Sequence, residues 1–132
     1  MKNKVLVLGH NGMLGHMVTK YLSENNFDVC CLSERWPMCK DEILSYDRDF
    51  IINCIGSIPQ KTSNFEINWS IPIWLDLNCK CKIIHPGTDC ESDLDDYGIS
   101  KNVAANFIKT FGTNTKILKC SVIGPELNTN SS

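Results

Sequence analysis

The eleven residues Val5-Leu6-Val7-Leu8-Gly9-His10-Asn11-Gly12-Met13-Leu14-Gly15 restrict the possible folds of this chain more than any other stretch. Four consecutive apolar residues predict a short buried strand. Glycines then follow at 9, 12 and 15, and Leu14, Met17, Val18, Tyr21 and Leu22 continue at helical spacing. A strand, a glycine turn and a helix in that order bring the positive end of a helix against unusually bare backbone, which suits a pyrophosphate. Gly9 suits the tight turn, Gly12 leaves room for phosphates, and Gly15 lets the helix pack close to the strand. The spacing is Gly-x-x-Gly-x-x-Gly, and a turn that only packs a helix on a sheet would use the same glycines. The placement directly between a strand and an amphipathic helix favours nucleotide binding.

Further along, Phe27 to Leu32, Phe50 to Ile55, Lys82 to His85 and Lys116 to Ile123 read as buried strands, the third ending at Pro86-Gly87-Thr88. Between them, Asp41 to Tyr46 predicts one or two helical turns. A helix carries Ile67, Ile71, Trp74 and Leu75 on one face, with Pro72 either kinking it or sitting in its first turn. Tyr97 to Phe111 predicts a helix with Val103, Ala104, Phe107, Ile108 and Phe111 facing a core. Asp89 to Asp96 holds five acids in eight residues and reads as a solvated loop. Apolar strands alternating with helices indicate an α/β fold: a three-layer, Rossmann-like, doubly wound parallel sheet of about five strands in the order 2-1-3-4-5. The ligand edge then falls at the break between strands 1 and 3.

The chain has 132 residues, enough for one domain, over 1–127, with 128–132 composed like a disordered tail. A net charge of −2 offers no footprint for nucleic acid or an anionic membrane. No apolar run is long enough for a signal peptide or a membrane span, so the expectation is a soluble, cytoplasmic protein. The eight cysteines show no Cys-x-x-Cys and no zinc spacing, so they read as reduced thiols, several of them small core residues, with no metal site.

Two stretches carry chemistry. Past the second strand, Ser33-Glu34-Arg35 meets the expected position of the adenosine ribose. A serine followed by an arginine points to NADP, an acid points to NAD, and both are present. In Tyr97-Gly98-Ile99-Ser100-Lys101 a phenol and an ammonium stand four apart, on one helix face. A phenol is normally a poor acid–base group at neutral pH, and the lysine one turn on favours its phenolate. Thr88, at the end of the preceding strand, is placed to hydrogen-bond the same carbonyl. The three would protonate a ketone as a hydride arrives from a reduced nicotinamide. A half-exposed tyrosine packed on a lysine stem has the same spacing; the preceding glycine turn and the strand-ending threonine shift the balance.

With these residues in place the chain resembles the extended short-chain dehydrogenase/reductase family, and within it the dTDP-4-dehydrorhamnose reductase-like sugar-nucleotide enzymes. The matching segments are Val5 to Gly15, Ile51 to Gly56, Asn68, Ile83 to Cys90, Tyr97 to Lys101 and Ser121 to Leu127, in the family's order along nearly the whole chain. The resemblance implies an NAD(P)-dependent reductase acting on a nucleotide-linked keto-sugar, with Tyr97 as catalytic acid. Lys101 would tune it and hold the nicotinamide ribose, Thr88 would orient the substrate, and Asn68 would support the lysine. Gly9, Asn11, Gly12, Met13, Leu14 and Gly15 would line the pyrophosphate. Ser33 and Arg35 would meet the adenosine ribose, and Cys54, Ile55 and Gly56 the middle of the cofactor. A sugar-nucleotide epimerase, or a dinucleotide-binding module without turnover, fits the same residues.

Three departures stand against the family pattern. Only eight residues separate Thr88 from Tyr97, glycine precedes Thr88 where serine is usual, and the segment from Arg35 to Phe50 is shortened. The carboxy-terminal half that forms the sugar pocket in the family has no counterpart in the sequence. The expectation is therefore a cofactor domain with the substrate domain absent, completed by a homodimer or a partner that supplies the missing lobe.

Overall fold

A computed structural model describes residues 2–56, 65–87 and 96–119. They form β1 (Lys4–Leu8), α1 (Met13–Glu24), β2 (Asp28–Cys31), α2 (Lys40–Ser45), β3 (Phe50–Asn53), α3 (Ile67–Asn78), β4 (Lys82–Gly87), α4 (Asp96–Phe111) and β5 (Thr115–Lys119). The five strands make one parallel sheet in the order β2-β1-β3-β4-β5, as the alternating pattern predicts. The chain runs outward from β1 to β2, then returns across β1 to β3. Its two halves therefore diverge between β1 and β3, opening a crevice at their carboxyl ends.

Strand alternation divides the core in two. Leu6, Leu8, Ile51 and Ile83 point to one face and pack with Ile43 of α2 and Ile71 and Leu75 of α3. Val5 and Val7 point to the other face and meet Leu22 and Val18 of α1. Ile52 and Ile84 lie on the α1 side and stay half-buried, because among the described residues only α1 lies there. The expectation of a sheet covered on both faces thus holds for β1 and β2, and only in part beyond them.

Other expectations need correction in detail. The strand predicted to reach Ile55 ends at Asn53, and β2 is an edge strand with no fully buried residue. β4 runs on through Pro86, because β5 pairs there (Pro86 with Leu118, Gly87 with Lys119) after β3 has ended. Pro72 is the sixth residue of α3 rather than part of its first turn, and is itself buried. In α4 the inward stripe is Ser100, Ala104 and Ile108. Val103 and Phe111, expected in the core, are 42% and 67% exposed. Ser100, Ala104 and Ile108, four apart, define the inward stripe; Val103 stands about 100° round the helix from Ala104, and Phe111 is the last residue of α4, at its exposed end. In α1, Leu14, Met17 and Tyr21 are likewise exposed, and Gly15, Val18 and Leu22 face inward.

One buried carboxylate fastens the far end of this architecture. Asp76 of α3 accepts the Thr113 N–H at 3.1 Å, the Asn114 N–H at 3.1 Å and the Thr115 hydroxyl at 2.7 Å. It thereby holds the turn from α4 into β5. Cys39 and Cys79 are buried and free, and Cys30, Cys31, Cys54 and Cys81 are half-buried and free, consistent with small core residues. Among the described residues no helix is long and apolar enough to cross a membrane.

Candidate functional site

Gly9 leaves β1 with a φ of +82°, a backbone state that residues with a Cβ adopt at a cost. A Cβ there would lie 2.9 Å from the Cys54 carbonyl carbon and oxygen. The end of β1 is thus pressed against the chain leaving β3, and the Cys54 N–H reinforces the seam by donating to the Leu8 carbonyl at 2.8 Å. Gly15 is more tightly constrained. A Cβ on it would collide with the Gly9 carbonyl oxygen and sit 2.6 Å from the Gly9 carbonyl carbon. Gly12 differs: its nearest neighbour to an added Cβ is the Gly9 oxygen at 3.5 Å, and the residue is exposed. Two glycines therefore close the turn, and the third keeps its outer side open.

Gly12 is also the N-cap of α1, with no side-chain cap and no acid in the first turn. The N–H groups of Met13, Leu14 and Gly15 thus point out of a twelve-residue helix beside the β1/β3 crevice. Asn11, Met13 and Leu14 are exposed around them. A helix N-terminus of this kind attracts an anion through its dipole and its unpaired N–H groups.

At the same carboxyl edge, β3 and β4 contribute a buried polar pair that sequence reading did not single out. Asn53, 1% exposed, accepts the Ile55 N–H on Oδ1 at 3.1 Å, which turns its amide nitrogen towards His85 Nδ1 at 3.1 Å. Nδ1 therefore accepts and the ring proton resides on Nε2. Burial, with the Lys101 ammonium as a second cause, pushes the His85 pKa down to about 3. His85 is thus a neutral ring close enough to Lys101 to feel its charge. The only sequence signal for either residue was a polar side chain inside an apolar strand. Burial also pushes the Cys54 thiol up to about 11, so it stays protonated.

Asn68, in the first turn of α3, is 1% exposed and donates from Nδ2 to Ser100 Oγ at 3.2 Å. Gly56 lies directly over it: a Cβ there would stand 3.2 Å from Asn68 Oδ1. Asn68 therefore joins the end of β3 to α4 one residue before Lys101. Ser33 and Arg35, at the end of β2, are exposed; the Ser33 N–H and hydroxyl are held by Glu42 of α2. Tyr97 lies in the first turn of α4, four residues before Lys101. Its side chain and Thr88 fall outside the described residues, as do Cys90, Cys120 and the tail. An open cleft of about 290 Å³ lies between the first turns of α3 and α4, lined by Phe65, Trp69, Ile99, Ser100 and Val103 among others, away from the glycine turn.

No family model matches the chain, and no curated protein matches it. Solved structures do. A UDP-rhamnose synthase of Acanthamoeba polyphaga mimivirus superposes with a TM-score of 0.71 at 18% identity, over 92% of this chain and 56% of that one. A dTDP-4-dehydrorhamnose reductase of Bacillus anthracis in complex with NADP gives 0.65 at 17% identity, over 92% and 54%. The Bordetella bronchiseptica enzyme WbmH in complex with NAD+ gives 0.67 at 14% identity, over 90% and 56%. At such identities the likeness establishes the fold alone, a Rossmann-like parallel sheet. The chain spans about half the length of these proteins.

Proposed function

We propose that this chain is the dinucleotide-binding half of an NAD(P)-dependent reductase acting on a nucleotide-linked keto-sugar. The glycine turn carries the proposal. Gly9 and Gly15 have no room for a Cβ, Gly12 is open, and the α1 N-terminus is uncapped beside the β1/β3 crevice. That cradle fits a pyrophosphate, with Gly9, Asn11, Gly12, Met13, Leu14 and Gly15 around it and Cys54, Ile55 and Gly56 along its path. Bound NADH or NADPH would supply a hydride.

The chain's own residues would supply the rest. Tyr97 gives its phenolic proton to the ketone oxygen, and Lys101 one turn on favours the phenolate that remains. A neutral His85 near Lys101 adds no competing positive charge at that edge. Asn68, through Ser100, holds the α4 turn that carries Lys101. Thr88 orients the carbonyl. The pocket for the sugar nucleotide comes from a second lobe, in the same polypeptide, a second copy or a partner, since positioning the ketone demands more surface than the described residues offer.

Titration with NADH and with NADPH, followed by nucleotide fluorescence, tests the first part. Binding of at least one is expected, and no response to either refutes the reading. Comparing wild type with Tyr97→Phe for NAD(P)H oxidation by a nucleotide-linked 4-keto sugar tests the second. Loss of turnover with dinucleotide affinity retained supports the role of Tyr97, and equal turnover removes it. Dinucleotide binding without turnover in either protein favours a binding module.

A further inference from the structure

Glu42 is separated from the glycine turn by a strand and a helix, yet its carboxylate closes over the end of β2. Both its oxygens accept the Ser33 N–H, at 3.1 and 2.9 Å. Oε1 also accepts the Glu34 N–H at 3.2 Å, and Oε2 accepts the Ser33 hydroxyl at 3.0 Å. The Tyr46 phenol lies 3.2 Å from Oε2 and 3.0 Å from the Cys31 carbonyl, which pins Glu42 to the last residue of β2 as well. The Ser33 backbone N–H, the largest cause, holds the Glu42 pKa below its ordinary value, so it is ionised at neutral pH.

The loop just past the second strand is where a fold of this kind meets the adenosine ribose, and where a 2′-hydroxyl is told from a 2′-phosphate. Two successive backbone N–H groups and a hydroxyl form the kind of donor set a phosphate uses. In this protein a carboxylate already holds that set. We propose that Glu42, and neither Glu34 nor Arg35, decides which dinucleotide is taken, by excluding the 2′-phosphate and leaving NAD(H) preferred. The exclusion has two parts. The donors are engaged, and a phosphate brought alongside would face a like charge. Arg35 is exposed and is the group whose attraction for a 2′-phosphate opposes this preference. The proposal rests on the dinucleotide reading given above.

The test is a fluorescence titration of the full chain with NADH and NADPH, for wild type, Glu42→Gln and Glu42→Ala, with thermal melts of all three. Wild type is expected to bind NADH roughly tenfold or more tightly than NADPH. Both variants are expected to narrow that ratio by about tenfold, chiefly by gaining affinity for NADPH. Equal or tighter NADPH binding by wild type overturns the proposal while leaving the dinucleotide reading intact, as does an unchanged ratio in folded variants. Wild type that binds neither nucleotide overturns both. If a variant fails to fold, the wild-type ratio and the remaining variant still decide.

Discussion

His85 is 3% exposed, accepts a hydrogen bond from Asn53 and stands near the Lys101 ammonium. Acidification is the perturbation that exposes this arrangement. In the unfolded chain a histidine takes up a proton near pH 6.5, and in the folded protein burial delays that to about pH 3. Between those values the unfolded state binds more protons, so stability falls as pH falls through the window. The loss attributable to this one ring is about 2 kcal/mol on going from pH 8 to pH 5, and it continues to grow towards pH 3. Urea unfolding at pH 8 and pH 5 measures it, with His85→Gln, which keeps an acceptor for Asn53, as reference. The variant is expected to lose about 2 kcal/mol less than wild type over the same interval. In parallel, the His85 ring resonances should not titrate above pH 4. An identical pH dependence in the two proteins, or a ring midpoint above pH 5, would refute the burial argument.

Gly15→Ala drives a Cβ into the Gly9 carbonyl and is expected to cost about 2–3 kcal/mol of stability, measured by urea melts. Gly12→Ala has room for its methyl, so its melt should stay within about 1 kcal/mol of wild type while affinity for NADH or NADPH drops, read by nucleotide fluorescence. Asp76→Ala leaves the Thr113 and Asn114 N–H groups and the Thr115 hydroxyl without their acceptor, with an expected loss of about 3 kcal/mol in the same assay. A loss under about 1 kcal/mol would show that water replaces the carboxylate freely. Cys54, with its thiol pushed up to about 11, should alkylate at pH 8 at least tenfold more slowly in the native protein than in urea, followed by peptide mass spectrometry.

The order of elements, the parallel sheet and the glycine turn were legible in the residues alone, because these follow from local pattern. Runs such as Val5-Leu6-Val7-Leu8 can be satisfied only by burial on both faces of a sheet, and glycines at 9 and 15 announce backbone that must approach backbone. The sequence also put Asn68 and Lys101 among the residues of interest, and the structure links Asn68 to Ser100, beside Lys101. Contacts between residues distant in the chain emerged only in the folded protein. Val103 and Phe111 share the apolar character of Ala104 and Ile108, and only the packed structure shows that α3 covers the second pair and leaves the first exposed. Asn53 and His85 are 32 residues apart and form one buried unit because β3 and β4 are neighbours. Glu42 looks like an ordinary surface acid of a short helix until α2 folds back over the end of β2. Periodicity records which residues seek the interior, whereas which polar groups meet there depends on how strands and helices are juxtaposed, and that geometry is fixed only when the whole chain packs.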